Sequence, residues 1–374
     1  MTSRGFTVTR SARKILTPHD INGLQLRNRL AVAPMTRVSA SETGHANADM
    51  ARYYERFAQG GFALVISEGI YTDQRYAQGY PCQPGITDTQ QAMAWQAVTE
   101  RIHAHQGTMI AQLMHAGALS QGNRFSEQSA APSAVRPKGE QMRFYYGEGH
   151  YHVPKAMSDE EIAEAIEGFA QAATRAIGQA NFDGIEIHAA NGYLLDQFLT
   201  DYTNQRADRW GGSTQNRIAL TLEVVKAVRA AVGAAVPVGV RISQGKVNDF
   251  GHKWANSEAD AEVVFGMLGD LALDFVHVTE FEAWQPAFDK GQASLVALAS
   301  RFAPQVTIIA NGGLHDTARA ETAMLDGADM IALGKAALAN PDYPKRLADG
   351  RAMVEFDGVV LGPIADIKAS ELSL

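Results

Sequence analysis

Within six positions the chain places an imidazole, a carboxamide and a phenol: His188, Asn191 and Tyr193, in the stretch FDGIEIHAANGYLLDQFL from Phe182 to Leu199. The imidazole and the amide can each donate a hydrogen bond to one acceptor, and the phenol can give up a proton. Two donors beside a proton source suit a carbonyl-bearing substrate whose oxygen gains negative charge as it reacts. The competing reading is that His188 and Asn191 only cap the next helix. Just before them, Gly184 to Ile187 is a short run of small and Ile residues, which reads as a fully buried parallel strand. The three groups then sit at the C-terminal end of a strand, where barrels of parallel strands place their chemistry.

The elements that would position them repeat along the chain. Further apolar runs are Leu30 to Met35, Ala63 to Ser67, Met109 to Met114, Val236 to Ser243, Phe275 to Thr279, Val306 to Asn311 and Met330 to Leu333. Helical patterns separate them: Ala48 to Gln59, Asp88 to His105, Ser158 to Gln179, Gln215 to Val232, Ser257 to Leu271, Gln292 to Phe302, Thr317 to Asp326 and Pro341 to Asp349. Ser158 to Glu161 reads as a capping box, and Pro341 fits the first turn of the last helix. Eight strand–helix pairs without a domain-length linker predict an α/β fold, a (β/α)8 TIM barrel forming one domain over residues 1–374. An open doubly wound sheet would want a glycine fingerprint after its first strand, and Leu30 to Arg37 contains no glycine. Asn22-Gly23 between apolar residues predicts an N-terminal β-hairpin, placed to plug the barrel floor. A long loop insertion, Ala116 to Met157, follows strand 3 and is rich in Gly, Ser, Pro, Gln and aromatics. Loops of this length are usually functional or disordered. Its Phe144 to Tyr146 reads equally as a substrate wall or as a cluster that only holds the loop down.

The other strand ends carry a consistent set of groups: Pro34-Met35-Thr36-Arg37, Ser67-Glu68-Gly69, Gln112, Arg241, Asn311-Gly312-Gly313 and Gly334-Lys335. Glycines after the seventh strand and a Gly-Lys after the eighth match the place where barrels bind phosphate through backbone N–H groups and a cation. Arg241 would bring positive charge to a carbonyl or an electron-rich ring edge, Gln112 can pair with an imide, and Thr36 can bond a carbonyl on the same ring. Flavin mononucleotide (FMN) satisfies all of these. For Arg241 the alternative is an ion pair with Glu186 on the neighbouring strand.

Composition sets the outer bounds. Hydrophobic residues are 46% and charged residues 20% of the chain, so a large core is available. The net charge of -8 contains no basic run resembling a nucleic-acid footprint. No apolar run approaches the roughly 20 residues that span a bilayer. Cys82 stands alone, which excludes an internal disulfide and a cysteine-ligated cluster within one chain. No metal-ligand spacing appears, and His45, His103, His105, His150, His152 and His277 read as surface or packing residues. A soluble, cytoplasmic protein acting on a small molecule is the expectation, with no oligomeric state assigned.

With these residues in place, the chain resembles the Old Yellow Enzyme family of FMN-dependent ene-reductases. The likeness runs from about Leu16 to Leu347 and rests on APMTR (Ala33 to Arg37), SEG (Ser67 to Gly69), QLMHAG (Gln112 to Gly117), HAANGYLLDQFL (His188 to Leu199), NQRADRWGGSTQNR (Asn204 to Arg217), GVRIS (Gly239 to Ser243), NGG (Asn311 to Gly313) and LGKAALANP (Leu333 to Pro341). The resemblance implies that Thr36, Gly69, Gln112 and Arg241 contact the isoalloxazine, with Pro34 and Met35 beside it. It implies that Gly312, Gly313, Gly334 and Lys335 hold the phosphate, that His188 and Asn191 bind the substrate's activating group, and that Tyr193 is the proton donor. NADPH or NADH would reduce the flavin, and an alkene conjugated to a carbonyl or nitro group would reoxidise it. The same site supports the oxidative direction, as a dehydrogenase or demethylase of a small molecule. The chain departs from the family at Lys335, where Arg is usual, and at Met114, a position often held by Trp, which implies a more deformable pocket. Asp208, Trp210, Gly211 and Gly212 read as a structural turn.

Overall fold

The structure, a computed structural model, describes residues 14–373. Eight parallel strands close into a barrel: β1 (Leu30–Val32), β2 (Leu64–Ile66), β3 (Thr108–Met114), β4 (Gly184–Asn191), β5 (Val238–Lys246), β6 (Phe275–Thr279), β7 (Thr307–Asn311) and β8 (Met330–Leu333). Each pairs with the next in chain order and β8 pairs with β1, so no edge is left open. These are the apolar runs of the sequence, and β1 to β3 are buried along their whole length, as strands covered on both faces must be.

The hairpin before the barrel pairs His19–Ile21 with Leu24–Leu26, with Ile21 opposite Leu24. Its two turn residues are left-handed, Asn22 at φ 50° and Gly23 at φ 84°, the combination a two-residue primed turn requires. Ile21 and Leu26 pack with Leu64, Ile66, Ile110 and Met330 into one buried cluster, so the hairpin does close the floor of the barrel.

Around the strands run α1 (Ala48–Gly60), α2 (Thr89–Ala104), α3 (Asp159–Gly178), α4 (Leu194–Leu199), α5 (Thr214–Val232), α6 (Glu258–Gly269), α7 (Leu295–Phe302), α8 (Thr317–Leu325), α9 (Lys335–Ala339) and α10 (Tyr343–Asp349). Their starts are written in the caps: Asn47, Asp88, Ser213, Ser294 and Asp316 each accept an N–H from the first turn, and Ser158 with Glu161 forms the full capping box. Pro341 corrects the reading of the last helix. It lies before the helix, and Pro344 occupies the first turn instead. The short helices α4 and α9 escape a periodicity argument because neither is two turns long.

The long connection after β3 is ordered. Ala130–Ala131 pairs with Lys155–Ala156 within it, and a single helical turn spans Arg143–Tyr145. Among the described residues no helix is long and apolar enough to cross a membrane, and no group of three or more His, Cys, Asp or Glu could hold a metal.

Candidate active site

At the C-terminal ends of the strands lies a cavity of about 420 Å³, within the range of small-molecule sites. His188, Asn191 and Tyr193 all line it, together with Pro34, Met35, Thr36, Gln112, Arg241, Gly334 and Lys335. In a regular strand, residues three apart face opposite sides. Asn191 ends β4 with φ 62°, and this left-handed turn lets its amide share the cavity with His188. Its backbone is held on both sides, N–H to Ser243 Oγ at 2.8 Å and C=O from the Val247 N–H at 3.1 Å.

The capping alternative is settled by α4, whose N-terminus receives no side-chain cap. His188 is free for the cavity, and its tautomer follows from its neighbour. The Ala190 N–H donates to His188 Nδ1 at 3.3 Å, which leaves the proton of the neutral ring on Nε2. Burial, then the charge of Arg241 and the proximity of His277, hold the imidazole well below its usual range. At neutral pH His188 is therefore an uncharged donor.

Tyr193 lies 4.9 Å from His188, ring to ring, at 75°. Its hydroxyl meets that of Tyr80 at 2.5 Å, and both phenols are buried. Burial pushes the Tyr193 phenol above its ordinary range, while the bond with Tyr80 works against that rise. The turn carrying Tyr193 is pinned by Asp196. Its Oδ2 accepts the Gly192 N–H at 2.6 Å, and Lys246 Nζ reaches both carboxylate oxygens at 2.8 and 2.9 Å. That ion pair, 2% and 0% exposed, ties the β4–α4 turn to the end of β5.

Deeper in the barrel, Gln112 Nε2 donates to Glu186 Oε1 at 2.7 Å, and His277 Nδ1 approaches Glu186 Oε2 at 2.7 Å. Glu186 is thus committed, and the alternative ion pair with Arg241 does not form among the described residues. Arg241 Nη2 donates instead to Thr279 Oγ1 at 3.1 Å and Asn311 Oδ1 at 2.9 Å. Arg241 Nε is buried with no partner among the described residues, a donor of the kind a polar ligand edge would satisfy. His277, read from sequence as a surface or packing residue, is fully buried inside this network.

Three expected site glycines do not line the cavity. A Cβ on Gly69 would meet Met114 Sδ at 2.5 Å, so Gly69 lets Met114 pack beneath the loop after β2. Met114 itself is 1% exposed and is absent from the cavity wall, so its softness bears on packing under the site. Gly312 and Gly313 have φ 133° and 65°. Side chains there would collide with the Glu280 carbonyl at 1.8 Å and the Trp284 ring at 2.5 Å, so the loop after β6 already requires both glycines. Gly334 and Lys335 open α9 at the cavity edge, with Lys335 Nζ 5.8 Å from the Phe356 ring.

Sequence reasoning missed Tyr80, Met142, Val247, Phe250 and Leu361. Phe144 and Tyr145 do line the cavity, so the wall reading of the inserted loop holds; their rings also touch, 4.6 Å apart. The turn at Asp208 is structural as expected: its carboxylate accepts the Trp210 N–H at 3.0 Å, and Trp210 is buried.

The buried histidines give a pH dependence. Burial is the first cause that lowers His115, His188 and His277; Arg241 adds to it at His188 and His277, while Asp73 and Glu186 oppose it at His115 and His277. As pH falls through about 6.5 the unfolded chain binds protons more readily than these folded imidazoles do, so stability drops over that interval. Glu68 acts in the opposite sense. Burial lifts its carboxyl to about 7, a contribution fully present below about pH 4.3 and lost as pH rises through the folded value. Three imidazoles outweigh one carboxyl, and the urea midpoint is expected to fall between pH 7 and about pH 5.5.

Comparison with known proteins bears on this site. The sequence pattern of the NADH:flavin oxidoreductase / NADH oxidase family matches residues 14–353. Flavin oxidoreductase hxnT of Emericella nidulans is 31% identical, covering 92% of each chain. The 12-oxophytodienoate reductase 2 of Arabidopsis thaliana is 33% identical, over 89% of this chain and 87% of its own. Among solved structures, the old yellow enzyme homologue from Zymomonas mobilis superposes with a TM-score of 0.86 at 29% identity, covering 96% and 98% of the two chains. Morphinone reductase gives 0.80 at 31% identity, over 93% and 92%.

Proposed function

The chain belongs to the NADH:flavin oxidoreductase / NADH oxidase family, and from that premise we propose that it is an FMN-dependent ene-reductase. Its substrates are alkenes conjugated to a carbonyl or nitro group, and NADPH or NADH is the reductant. The observation that carries this reading is the convergence of the His188 Nε2 donor, the Asn191 amide and the Tyr193 hydroxyl on one cavity that also holds Arg241 and Lys335. The residues fit the cofactor: an unpartnered Arg241 Nε within a buried polar layer, the Gln112 amide, and a lysine at a glycine-started helix. FMN, when bound, supplies hydride chemistry. Thr36, Gln112 and Arg241 would hold its ring, Pro34 and Met35 would pack beside it, and Gly334 and Lys335 would hold its phosphate. Gly69, Gly312 and Gly313 would serve through the loops they shape.

For the substrate, His188 and Asn191 bind the activating oxygen and draw electron density from the alkene. His188 does this without a formal charge, so it stays a donor across neutral pH. Tyr193 holds its proton and delivers it to the α-carbon, with the Tyr80 hydroxyl bonded to the phenolic oxygen throughout. The walls fix the alkene against the ring and exclude water, which supplies rate through orientation. A cytoplasmic location is part of the proposal and fits the lone Cys82.

The test is two-step anaerobic mixing. NADPH or NADH should bleach the bound flavin, and cyclohexenone should then restore its absorbance; failure of the second step would reject the ene-reductase reading. A related expectation concerns the phosphate. Lysine offers a point charge where arginine offers a planar fork, so Lys335→Arg should tighten FMN binding about tenfold, as one bidentate bond gained would. Fluorescence titration of the apoprotein reads this directly, and an unchanged dissociation constant would take Lys335 away from the phosphate.

A further inference from the structure

Behind the cavity lies a carboxylate that the proposed reaction leaves unused. Glu186 and His277 are both fully buried and neither lines the cavity, whereas Gln112, bonded to Glu186, does. Glu186 stands in register with Gln112 on β3 and with Gly239 on β5. Gly239 has no side chain to stand between β4 and β6, and Glu186 reaches past it to His277. Two other buried carboxylates meet permanent cations: Asp196 pairs with Lys246, and Glu371 with Arg37 and Arg56. Glu186 has no such contact among the described residues, and Arg241 attracts it only at longer range. Its one ion-pair partner is the His277 imidazole, whose charged form is disfavoured first by burial, with Glu186 itself opposing. A buried carboxylate without a permanent cation in contact is costly, and this one sits a single side chain away from the cavity.

A carboxylate only accepts hydrogen bonds. Its 2.7 Å contact with Gln112 therefore fixes which end of that amide faces it, Nε2 donating to Glu186 Oε1. Turned over, the amide would set oxygen against carboxylate oxygen. Gln112 Oε1 takes no hydrogen bond among the described residues and stays open to the cavity. An amide held in this sense presents an acceptor to a ligand's imide N–H. His277 completes the hold. Its Nδ1 meets Glu186 Oε2 at 2.7 Å, so that nitrogen carries the proton and donates. Its Nε2 has no partner among the described residues, so the ring's one polar contact is with Glu186.

We infer that Glu186 is a positioning residue for the flavin: through Gln112 it aims an amide acceptor at the imide of the ring, and its negative charge weights the cofactor against its electron-rich reduced form. The inference rests on FMN being the cofactor, as proposed above. The test uses the holoenzyme. Glu186→Gln keeps the side chain's shape and an oxygen for Gln112 but removes the charge. Reduced FMN should then be bound about tenfold more tightly relative to oxidised FMN. That ratio is a rise of about 30 mV in the two-electron midpoint potential, read by reductive titration against a reference dye. Glu186→Leu removes the acceptor as well and should weaken oxidised FMN about tenfold, followed by the flavin fluorescence released on dilution. The same change in a Gln112→Ala background should cost less than about threefold further, because the amide it held is gone. A midpoint potential unmoved by Glu186→Gln would overturn the inference, and it is the result that a purely structural carboxylate would give. An equal loss of FMN in both backgrounds would overturn it too. Should Glu186→Leu fail to fold, the potential of Glu186→Gln decides alone. A wild type that retains no FMN would sink the cofactor reading itself, and this inference with it.

Discussion

Tyr193→Phe should slow alkene reduction by about 10²- to 10⁴-fold, the usual worth of a positioned general acid, while the rate at which NADPH or NADH bleaches the flavin stays close to that of the wild type. The change removes one oxygen from a buried ring and leaves its packing against His188 in place. Its cost therefore falls on proton delivery. Stopped-flow measurement of the two half-reactions separates the outcomes, and equal losses in both would show that Tyr193 shapes the cavity without donating. The pH profile adds a second reading. Burial keeps the phenol protonated well past neutrality, so the alkene step in the wild type should be flat with pH from about 6 to about 8.

The largest effect on stability is expected from Asp196→Ala. Asp196 and Lys246 form a buried pair, and removing one partner of such a pair costs about 3–5 kcal/mol because the other charge stays buried alone. The Gly192 N–H loses its acceptor as well. Urea unfolding measures the loss, and a change below about 1 kcal/mol would mean that water already solvates the pair. A double change, Asp196→Leu with Lys246→Met, should recover part of the loss, since apolar replacements of a buried pair are often neutral. Because the pair pins the turn that carries Tyr193, the alanine variant should also lose alkene reduction more than flavin reduction.

The barrel was legible because its signals are local. The strands are short apolar runs, and most helices begin at a residue that caps them. Asn22-Gly23 specified its turn by backbone sterics alone. His188, Asn191 and Tyr193 were legible because they follow a strand within a few residues, so topology delivers them to one end. The rest depends on contacts far apart in sequence. For Arg241 the sequence left an ion pair with Glu186, one strand away, as the alternative, and only the fold shows that Gln112 and His277 take that carboxylate. Gly312 and Gly313, read as phosphate ligands, carry a second constraint that only the fold shows: the loop after β6 crosses so closely that nothing larger than glycine fits. Tyr80 meets Tyr193 across 113 positions, and Leu361 reaches the cavity only because Glu371 finds Arg37 more than 300 residues earlier. No periodicity or spacing announces such encounters.

The account depends most directly on a flavin seated over these side chains, and the absorption spectrum of the purified protein, read before and after FMN is added to excess and dialysed away, tests it. The account predicts flavin bands that survive dialysis at one equivalent per chain. A colourless protein that retains no FMN after that treatment would contradict it.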